Sequence, residues 1–190
     1  MNYVNYLRGF IPWIAFAVVS AAGWQWAAAT AFVVGAALLV AQRREGMAGD
    51  SLILEYSTLA YFVALTALAF CLPHSGLRHY GGAMSFGWLA ATALATLAVG
   101  RPFTIGIAKR QTPPEVWDHP VFRRINVVIT AVWAVAFTLT AVAMAAVTAA
   151  GLGNAVSVPV QVAGFVLPAL FTARYPERVR ARARAVNAVQ

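Results

Sequence analysis

Four stretches of this 190-residue chain contain no charged side chain: residues 9–42, 56–77, 79–100 and 125–173. A helix that crosses a hydrocarbon core of roughly 30 Å needs about 20 residues, so each run is long enough to cross at least once. As one helix, residues 9–42 would extend roughly 51 Å, which is more than a bilayer core accommodates. They read instead as a hairpin turning near Ala22-Gly23-Trp24. Residues 125–173 are two spans by the same reasoning, broken at Gly151-Leu152-Gly153-Asn154. The pattern predicts an all-α, polytopic transmembrane bundle of about six helices, near 6–22, 24–42, 51–72, 81–100, 124–149 and 156–174. The first is short enough to be a half-span, which would leave five full crossings and a re-entrant segment.

Composition agrees. Hydrophobic residues make up 61% of the chain, the mean hydropathy is +0.71, and Lys and Arg number 14 against 6 Asp and Glu. A soluble domain is nearer half apolar and a quarter charged, so a soluble enzyme, a disordered chain and a disulfide scaffold are excluded. Cys71 is the single cysteine and has no partner for an internal disulfide. Alternating crossings put the N-terminus, the 43–50 loop, the 101–124 segment and the tail on one side. That side collects Arg8, Arg43, Arg44, Arg101, Lys109, Arg110, Arg123, Arg124, Arg174, Arg178, Arg180, Arg182 and Arg184, and the other side only Arg78. Positive residues gather in cytoplasmic loops, so both termini are expected in the cytoplasm. Ser20-Ala21-Ala22 imitates a signal-peptidase site, but Arg8 is a thin basic region before it, and the segment reads as a mature helix. No linker separates domains: residues 1–190 read as one membrane domain, with an interfacial connection at 101–124 and a basic tail at 175–190.

Glu55 is the most informative side chain, because a carboxylate just inside the hydrocarbon boundary is expensive and usually faces the bundle or a cavity. Ser51, Glu55, Thr58, Phe62 and Thr66 recur at helical spacing on one face. Glu55 is therefore expected either to bind a cation, a proton or a basic group, or to pair with a loop arginine such as Arg101 or Arg123. Asn126, Thr130, Trp133, Phe137 and Thr140 form a second stripe, and Ser85, Trp88, Thr92 and Thr96 a third; small and hydroxyl-bearing residues so spaced read first as helix packing. Gln161 is a strongly polar residue near the middle of the last span, placed to line a pocket or hydrogen-bond between helices. Pro12, Pro159 and Pro168 are expected to kink or break their helices. Trp26-Ala27-Ala28-Ala29-Thr30-Ala31 is echoed by Trp88-Leu89-Ala90-Ala91-Thr92-Ala93, which in so alanine-rich a chain reads as coincidence.

The 101–124 connection is the most distinctive segment. Phe103, Ile107 and Arg110 follow helical spacing, which predicts a short interfacial helix, and Trp117 suits the headgroup level. The basic residues there and in the tail point to anionic lipid headgroups at the cytoplasmic face, or to other membrane proteins, as partners. The tail's alternation of arginine with alanine gives no base-reading pattern, so nucleic acid is not implied. His74 and His79 share one outer loop and His119 lies elsewhere, so no metal site is expected. No histidine sits inside a span to hold haem, no cofactor is expected, and no nucleophile–histidine–acid grouping supports enzymatic chemistry.

Arg101-Pro102 closing a span, Pro114-Glu115-Val116-Trp117, and then Asn126 with Trp133 on the next helix resemble the intracellular septation protein A family, the small inner-membrane-spanning YciB-type proteins of bacteria. The resemblance covers roughly residues 6–146; Asn126 and Trp133 stand two turns apart where the family has about one. It implies a bacterial inner-membrane location and a role in envelope maintenance and septation, exercised through other membrane proteins rather than catalysis. The residues read above, Glu55, Arg101, Trp117, Arg123, Asn126, Trp133 and Gln161, are the candidate ligand- or partner-binding residues of this chain. A small-solute or lipid transporter, or its substrate-binding subunit, is the alternative, and an accessory subunit of a larger membrane complex is a further one.

Overall fold

The computed structural model describes residues 9–47 and 49–187, with side chains up to Val179 apart from that of Asp50. Seven α-helices and no strand occur among the described residues: α1 (Ile11–Val19), α2 (Trp24–Arg44), α3 (Ile53–Cys71), α4 (Gly81–Ala98), α5 (Thr104–Lys109), α6 (Pro120–Ala149) and α7 (Asn154–Asn187). Five helical segments are long and apolar enough to cross a membrane: Trp24–Arg44, Ile53–Cys71, Gly76–Ala98, Pro120–Ala149 and Asn154–Val179. Three long helices end in the same way. After α2, α4 and α6 the chain passes through Gly46, Gly100 and Gly151 at positive φ. In each case the next two amides bond back to carbonyls inside the helix, as Gly151 N to Thr148 O and Leu152 N to Val147 O. These paired bonds cap carbonyls that a helix end would otherwise leave bare.

The chain divides into two compact units, residues 1–81 with 106–111, and residues 82–105 with 112–190. In the first, α2 packs against both α1 and α3. It does so with a face of small residues, Ala27, Ala28, Ala31 and Gly35, all buried, so the backbones approach closely. Trp13 fills the space between α1 and α3. Its ring stacks on Tyr61 at 5.0 Å and meets Phe62 at 4.8 Å, and its Nε1 donates to Thr58 Oγ1 at 3.1 Å. At the opposite end Trp24 Nε1 donates to the Pro73 carbonyl at 3.2 Å. Although α1 has only 9 residues, Gly9 already lies against Leu54 in the first turn of α3.

In the second unit α6 packs along α7. Phe86 of α4, Phe137 of α6 and Phe165 of α7 form a ring cluster with centroids 5.0 to 6.0 Å apart. Trp133 Nε1 donates to Thr172 Oγ1 at 2.9 Å. The stripe Asn126, Thr130, Trp133, Phe137 and Thr140 is the buried face of α6. On α4 the buried residues are Ser85, Phe86, Leu89, Ala90, Ala93 and Thr96, and Trp88 faces outward. The echoed segments share one burial pattern: Trp26 and Trp88 are exposed, and the two residues after each are buried.

Two boundaries move from the sequence expectation. α6 starts at Pro120 rather than 124, with Pro120 in its first turn and His119 Nδ1 accepting from Val121 N at 3.2 Å. That is a cap position followed by a residue whose missing N–H costs nothing there. α7 does not end at 174 but runs to Asn187, through Pro159, Pro168 and Pro176. Neither Pro159 nor Pro168 breaks it. The side chains of Arg180, Arg182 and Arg184 lie outside the described residues.

Candidate functional site

The first turn of α3 carries Glu55, and its carboxylate is buried against the protein. Arg110, just beyond α5, donates from Nη2 to Glu55 Oε1 at 2.7 Å and to the Ser51 carbonyl at 2.9 Å. The two side chains are 9% and 8% exposed, Arg110 and Glu55 respectively. Charge-assisted bonds of this length in a desolvated setting are strong in isolation, though removing both charges from water offsets much of that gain.

The local sequence explains how Arg110 arrives there. Pro102 cannot continue α4, and α5 begins two residues later with Phe103 and Ile107 buried. Gly106 lets α5 lie directly on the chain before α3: a Cβ at that position would stand 2.6 Å from Ser51 O, closer than any side chain tolerates. The short helix foreseen from Phe103, Ile107 and Arg110 is therefore present. The partner of Glu55 is Arg110, not Arg101 or Arg123. Arg101 is exposed, and Arg123 directs Nη2 to the Gly100 carbonyl at 3.4 Å. The reason is distance along the fold: Arg110 follows the glycine contact by four residues, one helical turn.

Beside this ion pair is a small cleft lined by Gly9, Pro12, Gly35, Leu38, Gln42, Glu55 and Thr58, with room for roughly one water-sized group. Gln42, in the last turn of α2, is 2% exposed. Its Nε2 and Oε1 are both buried and have no hydrogen-bond partner among the described residues, and the same holds for Arg110 Nε. Sequence reasoning passed over Gln42, yet the signal was there. It follows Gly35 by seven residues and Ala31 by eleven, continuing the small-residue face of α2 to the point where Arg43 and Arg44 begin.

The other candidate residues are dispersed. Asn126 is buried; its Nδ2 donates to Phe122 O at 2.9 Å, and its backbone carbonyl accepts from Thr104 Oγ1 at 3.0 Å. The hydroxyls of Thr104 and Thr130 are 2.8 Å apart; with Thr104's one proton spent on Asn126, Thr130 is the donor. Trp133 shares the buried face of α6 with Asn126 but bonds to Thr172, so the two do not meet on a common partner. Trp117 is half-buried and donates to Thr112 O at 3.1 Å. Gln161 is half-buried beside Gly82, whose built Cβ would come within 3.9 Å of its Cδ. In the connection between α3 and α4, Arg78 Nε donates to His79 Nε2 at 3.1 Å. No family model, curated protein or solved structure matches this chain.

Proposed function

We propose that this chain is a multi-pass protein of the bacterial inner membrane, with both termini cytoplasmic, that supports envelope maintenance or septation by binding anionic lipid headgroups and neighbouring membrane proteins rather than by catalysis. One observation in the second unit carries the reading. Arg101, Arg123, Arg124, Arg174 and Arg178 are all exposed, and none has a carboxylate partner among the described residues. The Arg123–Gly100 bond and the Trp133–Thr172 bond place the end of α4, the start of α6 and the charged part of α7 at one end of that unit. Basic residues at a membrane surface contribute about 1 kcal/mol each toward anionic lipid. The one-sided distribution of basic residues supports the orientation, and the likeness of Arg101-Pro102, Pro114 to Trp117 and Asn126 to the septation family supports the cellular role. Room for only a water-sized group in the Gln42 cleft favours lipid contact over passage of a solute.

The test is native mass spectrometry of the full chain released from nanodiscs of phosphatidylethanolamine and phosphatidylglycerol. Arg101→Gln, Arg123→Gln and Arg124→Gln combined should weaken retention of phosphatidylglycerol on the order of a hundredfold, from three contacts of about 1 kcal/mol. Retention equal to wild type would overturn the lipid-binding reading.

A further inference from the structure

We propose that the cleft between α1, α2 and the first turns of α3 binds one neutral hydroxyl group at the Gln42 amide, beside the Glu55 carboxylate, and that the polyol headgroup of an anionic phospholipid supplies it. The lipid as source rests on the function proposed above; recognition of a hydroxyl rests on this unit alone. Gln42 is 98% buried by its 2% exposure, and its amide has a donor and an acceptor unused among the described residues. A group that satisfies both must accept from Nε2 and donate to Oε1. Glu55 Oε1 is taken by Arg110, and the hydroxyl's one proton is spent on Gln42 Oε1, so Glu55 lines the cleft without bonding the hydroxyl. Thr58 Oγ1 already accepts from Trp13 and keeps a proton to donate.

Charge selects the ligand class. Glu55 and Arg110 balance one another, so a cation or a phosphate entering the cleft would add an uncompensated charge to a desolvated site. A neutral group is admitted without that penalty. Size selects further, because the cleft accepts about one water-sized group, and apart from water itself a hydroxyl is the smallest neutral group that both donates and accepts. Pro12 and Gly35 give the cleft an apolar wall suited to the carbon that bears it. Arg43 and Arg44 follow Gln42 directly and are exposed, where the phosphate of a headgroup would meet them.

The experiment compares phosphatidylglycerol with phosphatidylmethanol, which has the same charge and no free hydroxyl, competing for the full chain in nanodiscs. Wild type should retain phosphatidylglycerol roughly threefold to tenfold better, the range one to two net hydrogen bonds supply. Gln42→Met keeps the shape and removes the amide, and should erase that preference while total anionic lipid is unchanged. Thr58→Val reads the same preference if Gln42→Met does not fold. The combined arginine variant above lowers both lipids alike, so failure of that reading and failure of this one are distinguishable. No preference in wild type, with a lowered unfolding temperature in Gln42→Met, overturns the lipid as source and upholds the hydroxyl site with water in it. No preference together with an unchanged or raised unfolding temperature overturns the site.

Discussion

Glu55 and Arg110 meet in a setting where each side chain alone would be a buried charge. An exposed ion pair contributes little, but one that is over nine-tenths buried makes each partner dependent on the other. Arg110→Met should therefore cost roughly 3–5 kcal/mol of stability, the range for breaking a buried pair. Glu55→Leu combined with Arg110→Met should recover most of that loss, since two apolar side chains leave nothing uncompensated. Thermal unfolding of the two single variants and the double variant measures this, and additive losses would show that the pair is not coupled. It follows that Glu55→Gln is a poor probe of transport, because it strands an arginine that cannot discharge itself. That Glu55 needed a partner was legible from its position at the start of a long apolar run. Which arginine answered was not, because the choice is made by Gly106 lying on the Ser51 backbone, a tertiary contact with no periodic signature.

At the scale of helices, contacts at glycine decide which substitutions the packing absorbs. A Cβ on Gly164 would collide with Thr140, whose Cγ2 would be 2.8 Å away, and a β-branched side chain inside a helix has little rotamer freedom to retreat. A Cβ on Gly82 would come within 2.7 Å of Met144 Cε, the far end of a flexible thioether chain that can move aside. Gly164→Ala should thus destabilise by roughly 1–3 kcal/mol, the range for overpacking, and Gly82→Ala by clearly less. Equal shifts in unfolding temperature would contradict this. The buried face of α6 was readable because one side of that helix packs and the other does not, so Asn126, Thr130, Trp133, Phe137 and Thr140 recur with the helical period. The end of α7 was not. Arg174, Glu177 and Arg178 end the apolar run, and hydropathy marks where lipid stops rather than where a helix does. Alanine and arginine are strong helix formers, and the helix continues to Asn187.

Over the whole molecule, the sequence shows no single linker because the chain passes between the two compact units three times, at Gly81-Gly82, after Ile105 within α5, and after Gln111 just ahead of Pro113-Pro114. The number of crossings is equally hard to read from hydropathy, since α1 is 9 residues long, about 14 Å at helical rise, and a bilayer core is roughly 30 Å. Taken alone, a helix that short would leave five crossings and put the termini on opposite sides. The contact of Gly9 with Leu54 argues otherwise: by Gly9 the chain is already level with the first turn of α3, the end that carries Glu55. Gly9 therefore lies at the end of the first unit where α2 finishes at Arg43 and Arg44, which is the arrangement the proposed orientation requires. Cys71 offers a direct measurement, because it is the chain's single cysteine, is exposed, and lies at the opposite end of α3 from Glu55. A membrane-impermeant maleimide added to right-side-out spheroplasts should label it without lysis. Labelling only in inverted vesicles would place Arg43, Arg44 and Glu55 on the outer side, and the basic residues would then have no cytoplasmic headgroups to meet.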